Sequence, residues 1–356
     1  MTEKDSRGRS ATQSGRQGSM SVAVLGGGSF GTVLANIAAI NGHRVMLWVR
    51  REEQASRINI HHRNELYLPN FPLHKSVYAS SNYADVLSDA MVVLVAVPSQ
   101  YFRQVVVEAA PWLSGKIVVS TTKGIEAETF DLMSEILQEE LDHARIGVLS
   151  GPNLAREIAG RELTATVIAS HCKDVQNTMR DVLHSDYFRM YASDDIYGVE
   201  LAGALKNIYA IASGVGAAAG VGENTTSMLL TRSLAEMSRL AVRLGANPLT
   251  FLGLAGVGDL IATCTSRLSR NFRLGYALGE GKSLEVAEKE LGQVAEGANT
   301  LKQTVARARK IDVDMPIAFA LYRVMYEKAL VSCLFRQMGK EEEQRDVEFM
   351  LGGIRT

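Results

Sequence analysis

Cysteine is scarce in this chain: Cys172, Cys264 and Cys333 are the only three among 356 residues. They lie far apart, show no metal-ligand spacing and cannot pair off as an even set. That argues against a disulfide framework or a cysteine metal site and fits a reducing, cytoplasmic setting. An excess of one charge is missing as well. The 38 basic residues nearly cancel the 39 acidic ones, which leaves no broad field for a nucleic acid or an anionic membrane surface. Long uninterrupted apolar runs are absent. The nearest approach, 201–219, is broken by Lys206, Asn207 and Ser213 and is rich in Gly and Ala, whereas a spanning helix needs about twenty apolar residues. It reads as a helix buried in a soluble domain, with no membrane insertion. The first twenty residues hold no apolar stretch and read as a disordered tail rather than a signal peptide. The acidic, glycine-ended segment 341–356 reads as a second tail.

What is present begins with Val22-Ala-Val-Leu-Gly-Gly-Gly-Ser-Phe-Gly31. A short apolar strand runs into Gly26-x-Gly28-x-x-Gly31 and then into a helix over 32–40, with a second strand at 43–49. In a dinucleotide site Gly26 permits the tight turn, Gly28 lets backbone approach a diphosphate, and Gly31 lets helix pack on strand. The helix start then offers N–H groups and a positive dipole end to the phosphates. Glycine-rich turns are common; the strand–turn–helix–strand context is what makes this one a nicotinamide or flavin nucleotide site.

Strand-like runs recur at 21–25, 43–49, 76–80, 90–97, 116–121, 145–149, 164–169 and 188–191, with helical patterns between them. Several lack polar alternation, as strands covered on both faces do. This predicts an α/β, Rossmann-like, doubly wound and mainly parallel sheet. The segment 61–74, with Pro69 and Pro72, is its one long irregular loop. After about Asp194 helical periodicity takes over, at 196–218, 225–244, 248–254, 271–278, 284–291, 297–308 and 316–329. The expected organisation is a dinucleotide-binding domain over 21–194 and an all-α substrate and catalytic domain over 195–340, flanked by tails at 1–20 and 341–356. Chemistry is expected in the cleft between the two.

About twenty residues past the fingerprint an NAD enzyme places Asp or Glu on the ribose 2′-hydroxyl. Here the second strand ends in Val49-Arg50-Arg51-Glu52. Two guanidiniums suit a 2′-phosphate, so the cofactor is NAD(P)H with a lean towards NADPH; alternatively the arginines only start a solvated helix and Glu52 or Glu53 takes the ribose.

Polar groups cluster after the strands, where ligands of open α/β sheets sit: Pro98-Ser99, Thr121-Thr122-Lys123-Gly124, and Ser150-Gly151-Pro152-Asn153. The helical half adds Lys206-Asn207 inside its most apolar stretch. A buried ammonium needs a partner and has its pKa lowered by desolvation, which suits proton transfer to a carbonyl; otherwise the side chain snorkels outwards. Asp259, framed by Gly256 and Gly258, either holds a lysine or caps a following helix. Ser269 reads as the N-cap of a helix from about Asn271, where Arg270 and free N–H groups would make a phosphate site, unless that helix is simply a capped surface helix.

In this order the words GGGSFGT, VAVPSQ, TTKGIE, SGPN, ELAGALKNIYAI, GLAGVGDL, TCTSRLSRNFRLG and VAEG make the chain, from Ser21 to about Gln337, resemble NAD(P)-dependent glycerol-3-phosphate dehydrogenases of the bacterial type. The resemblance implies reversible reduction of dihydroxyacetone phosphate to sn-glycerol 3-phosphate, supplying phospholipid synthesis, in a cytoplasmic homodimer without a metal. It implies Lys206 as proton donor and acceptor, with Lys123, Asp259 and Asn207 around the reacting carbon. It implies that Arg270, Asn271 and Ser269 grip the phosphate and that Gly151 and Asn153 line the substrate side. Ser29, Phe30, Arg50, Ala155, Val294 and Glu296 match cofactor contacts, with Lys123 and Arg270 serving both ligands. Asn153 departs from the family's usual Ser or Thr, and Leu154 from its frequent aromatic.

Overall fold

The structure, a computed structural model, describes residues 18–292 and 295–338. The expected tails therefore lie outside the described residues, save for residues 18–20, and so does Val294.

Eight strands form one sheet: β1 Ser21–Leu25, β2 Arg44–Trp48, β3 Val77–Ser80, β4 Val92–Val95, β5 Ile117–Ser120, β6 Arg145–Ser150, β7 Thr164–Ala169 and β8 Phe188–Ser193. Their order across the sheet is β3-β2-β1-β4-β5-β6-β7-β8. Every pairing is parallel except β6 with β7. The central strands β4 and β5 are buried at every position, whereas the edge strands β3 and β8 alternate buried and exposed side chains over their first three residues. Unbroken Val/Ile/Leu runs and alternating runs thus report two covered faces and one. The order reverses between β1 and β4, which opens a crevice at the carboxyl ends of the strands.

The helices of this half are α1 Ser29–Ile40, α2 Glu52–His61, α3 Tyr83–Leu87, α4 Phe102–Ala109, α5 Met133–Glu140, α6 Ala155–Ala159 and α7 Lys173–Leu183. They cover two separate apolar clusters, one on each sheet face. The first includes Leu34, Leu47, Leu94 and Phe188, and the second Leu25, Val93, Phe102 and Ile136.

The chain then continues as α8 Ile196–Ala218, α9 Glu223–Arg243, α10 Asp259–Thr265, α11 Arg270–Gly279, α12 Leu284–Leu291, α13 Glu296–Lys310, α14 Pro316–Tyr326 and α15 Ser332–Met338. Helix α8 is buried on all sides over most of its length, as a helix that is largely apolar all round must be. Small residues let it sit at the centre: a Cβ on Gly214 would lie 2.0 Å from the Phe272 carbonyl oxygen, and one on Gly275 would lie 1.9 Å from that of Ile211. The backbones of α8 and α11 touch there.

Two expectations change. The helix expected over 248–254 is a 3-10 turn, Pro248–Leu252, followed by one π-helical turn, Leu254–Gly258, that leads into α10. Periodicity reading missed α10 because its approach is glycine-rich, and it missed the short α15. One loop also crosses between the halves: Ile125, Phe130 and Leu132, just past β5, are buried in the core of the helical half.

Candidate active site

The glycine turn has the geometry its sequence suggested. Gly26 takes a φ of +121°, and a Cβ there would meet the Ala96 carbonyl oxygen at 2.5 Å; one on Gly31 would meet the Gly26 oxygen at 2.0 Å. Over Gly28 there is nothing within 4 Å. Among the described residues the N–H groups of Gly28, Ser29, Phe30 and Gly31 meet no acceptor. An open shelf above unpaired donors at a helix start fits a diphosphate, so these residues suit the nucleotide that the sequence implies. The Ser29 hydroxyl donates to the Tyr67 carbonyl at 2.7 Å. Phe30 and Ala155, which opens α6, pack on the same apolar cluster of the sheet.

At the far end of the crevice Arg50 and Arg51 are both exposed and make no side-chain hydrogen bond or ion pair with described residues. Arg51 is the N-cap position of α2, as the alternative reading required. The neighbouring carboxylates are engaged elsewhere: Glu52 accepts from the Ser81 hydroxyl at 2.5 Å, and Glu53 pairs with Arg57 at 2.7 Å.

The lysines expected from separate segments come together. Lys123, beyond β5, lies 2.6 Å from Asp259 Oδ2, and Lys206, on α8, lies 2.8 Å from Asp259 Oδ1. Lys206 is 5 % exposed and does not snorkel; its ammonium also donates to the Thr263 hydroxyl. Asp259 is the first residue of α10 and Thr263 stands one turn later, 3.1 Å from Oδ1, so one short helix presents both groups upwards. Lys123 donates additionally to the Gly151 carbonyl at 2.7 Å, made available by a φ of +144° at Gly151. Asn207 Nδ2 reaches the Lys123 carbonyl at 3.4 Å. Burial pushes the Lys123 ammonium down to about 8, against the opposing pull of Asp259 and with the like charge of Lys206 adding to the drop. Burial of two ammoniums against one carboxylate leaves an excess positive charge facing the cleft.

At the other side, Ser269 caps α11 by accepting from Phe272 N–H at 3.3 Å. Exposed Arg270 follows it. Asn271 is buried, and its Oδ1 accepts the Gly297 N–H at 3.0 Å, tying the starts of α11 and α13 together. Glu296, at the start of α13, accepts the Ser99 N–H at 3.1 Å and the Ser99 hydroxyl. Burial raises its pKa, and the nearby Arg270 charge opposes that rise. Asn153 donates to the Thr166 hydroxyl at 3.0 Å, while its Oδ1 is buried without a partner among the described residues.

Sequence reasoning therefore assembled most of this centre but missed Thr263 and the Glu296–Ser99 link. A helix following Asp259 was one of its two open readings; that Thr263, one turn along it, joins Asp259 at the Lys206 ammonium was not read. Arg50 stands apart from the lysine pair, on the opposite flank of the crevice beyond β2.

Two family models match: the N-terminal part of NAD-dependent glycerol-3-phosphate dehydrogenase over residues 21–176, and its C-terminal part over 195–336. The chain is 54% identical over 333 residues to an NAD(P)+ glycerol-3-phosphate dehydrogenase of Alcanivorax borkumensis, covering 93% of this chain and 97% of that one. A crystal structure of glycerol-3-phosphate dehydrogenase from Coxiella burnetii superposes with a TM-score of 0.87 at 35% identity, over 90% of this chain and 99% of that one. A ketopantoate reductase of the PanE/ApbA family from Ralstonia eutropha shares the fold at 17% identity and a TM-score of 0.56, over 89% of this chain and 99% of that one.

Proposed function

We propose a mechanism for this chain on the premise that it belongs to the NAD-dependent glycerol-3-phosphate dehydrogenase family. It is an NAD(P)-dependent oxidoreductase that interconverts dihydroxyacetone phosphate and sn-glycerol 3-phosphate. The observation that carries the mechanism is the convergence of Lys123 and Lys206, from opposite halves of the chain, on the Asp259 carboxylate.

When bound, the reduced nicotinamide supplies the hydride. Gly26, Gly28, Ser29, Phe30 and Gly31 hold the diphosphate side, and Arg50 takes the adenosine ribose or its phosphate, with a lean towards NADPH. Ala155 and Glu296 complete the cofactor side; Val294, which the resemblance adds to them, lies outside the described residues. Arg270, at the positive end of α11 with Ser269 and Asn271 beside it, grips the substrate phosphate, so binding energy far from the carbonyl orients it. Gly151 and Asn153 line the substrate side. Lys206 gives its Nζ proton to the ketone oxygen as the alcohol forms, and takes it back in the reverse direction. Lys123 stabilises negative charge growing on that oxygen. Asp259 holds both ammoniums, and Asn207 steadies the Lys123 backbone. Supply of glycerol 3-phosphate to phospholipid synthesis by a cytoplasmic homodimer belongs to the same proposal and rests on the resemblance. No helix among the described residues is long and apolar enough to cross a membrane.

The test follows coenzyme absorbance with dihydroxyacetone phosphate and either NADH or NADPH, with unphosphorylated dihydroxyacetone alongside. Turnover confined to the phosphorylated ketone is expected. Equal rates with both ketones would remove the phosphate grip from the reading.

A further inference from the structure

The irregular loop beyond α2 is stitched to the glycine turn at Gly27 and Ser29 and to the body of α1 at Thr32 and Asn36. The Asn64 amide, 2 % exposed, donates one N–H to the Gly27 carbonyl at 2.9 Å and the other to the Thr32 hydroxyl at 2.8 Å. Ser29 donates to the Tyr67 carbonyl, and the His74 N–H donates to Asn36 Oδ1 at 2.7 Å. Gln54, on α2, adds a second amide to the Gly27 oxygen at 3.1 Å and touches Asn64 Oδ1 at 3.3 Å. The loop is itself rooted: Asn64's own carbonyl accepts from Tyr67 and Leu68, and Leu68 and Leu73 are buried in the sheet core.

A peptide group is planar and trans, so its C=O and the N–H of the next residue point in opposite directions. Two amides pull the Gly27 oxygen into the protein. The Gly28 N–H is therefore turned the opposite way, where it meets no acceptor among the described residues. Glycine pairs flip their peptide planes at little cost, and nothing else among the described residues bonds the Gly27 oxygen. By also holding Thr32, Asn64 fixes the turn relative to the first turn of α1.

We propose that Asn64, assisted by Gln54, is a positioning residue for the coenzyme diphosphate: it locks the Gly27–Gly28 peptide so that the N–H groups at the start of α1 face the ligand before it arrives. The inference rests on the nucleotide reading of that turn. Preorganised donors cost nothing to orient on binding; an unlocked turn must be ordered by the ligand itself. The chemistry recognised is a dinucleotide diphosphate, whichever base or ribose it carries.

The experiment compares the full-length protein with Asn64→Ala and Gln54→Met. Coenzyme binding is titrated by fluorescence, alongside KM for each substrate, kcat at saturating coenzyme, and thermal melting. Asn64→Ala is expected to weaken NADH and NADPH binding in equal proportion, by about tenfold, the size of one lost buried hydrogen bond. Gln54→Met should weaken them several-fold in the same sense. In both, kcat at saturation and KM for dihydroxyacetone phosphate stay within twofold of the parent. Folded variants with parental coenzyme affinity overturn the proposal, as does a loss confined to melting temperature or to kcat. Should Asn64→Ala fail to fold, Gln54→Met alone decides. Failure of the parent protein to bind either coenzyme would instead sink the underlying nucleotide reading.

Discussion

Lys123 and Lys206 occupy the two oxygens of one carboxylate: Asp259 Oδ2 lies 2.6 Å from the first and Oδ1 2.8 Å from the second. Two ammoniums on one counter-charge leave the pair short of compensation. Negative charge developing on a ketone oxygen beside them supplies what is missing.

Lys206→Ala removes the proton donor without touching the glycine turn. The expected outcome is a fall in kcat of about 10²–10⁴-fold with coenzyme affinity unchanged, read by steady-state kinetics and fluorescence titration. A drop in coenzyme affinity of the same size would argue that Lys206 serves the nucleotide instead.

Asp259→Ala leaves both ammoniums buried beside each other. Removing one partner of a buried ion pair costs about 3–5 kcal/mol, so chemical denaturation should show a loss of that order together with loss of turnover. A variant as stable as the parent would mean that the pair is far better solvated than its burial indicates.

The depressed Lys123 value sets a pH limb. The group is charged below about 8 and neutral above it. Ketone reduction at saturating coenzyme should therefore decline as pH rises through that value. In Lys123→Arg, whose guanidinium does not titrate there, residual activity should show the limb displaced or absent.

Arg270→Ala should raise KM for dihydroxyacetone phosphate by more than about tenfold, the loss of a charge-assisted contact. Replacing Arg50 and Arg51 together by Ala should lower the NADPH/NADH ratio of kcat/KM. An unaltered ratio counts against the ribose-phosphate reading.

Stability carries its own pH signature through Glu236. Its carboxyl accepts from the Ile317 and Ala318 N–H groups at the start of α14 and from Tyr209, and burial pushes it up to about 8. A folded value above the unfolded one means stabilisation that is complete below the ordinary carboxylate range and is lost as pH rises through about 8. Melting temperature should fall across that window. Glu236→Gln, which keeps an acceptor but no titration, should flatten the fall.

Much of this was legible along the chain. The central strands were readable as the unbroken apolar runs that a sheet covered on both faces needs, the edge strands β3 and β8 as short strand-like runs that alternate, and Lys206 stood out as a charge in a largely apolar helix. Helix α10 was legible only as the alternative reading of Asp259 and not from periodicity: glycines precede it, and a π turn packed beneath Phe251 leads into the helix at Asp259. The role open to Asn64 was equally hidden, since it sits in a loop without periodicity and acts through a backbone oxygen 37 residues away.

By itself the sequence determined the glycine turn, the order of the strands, and the family, because each is written in local spacing and in words read in order. Tertiary structure alone decided which carboxylate answers which lysine, and which amides hold the turn. Lys123 and Asp259 are 136 positions apart, and such a pairing is set by how α8, α10 and the sheet pack, a relation that no local period encodes.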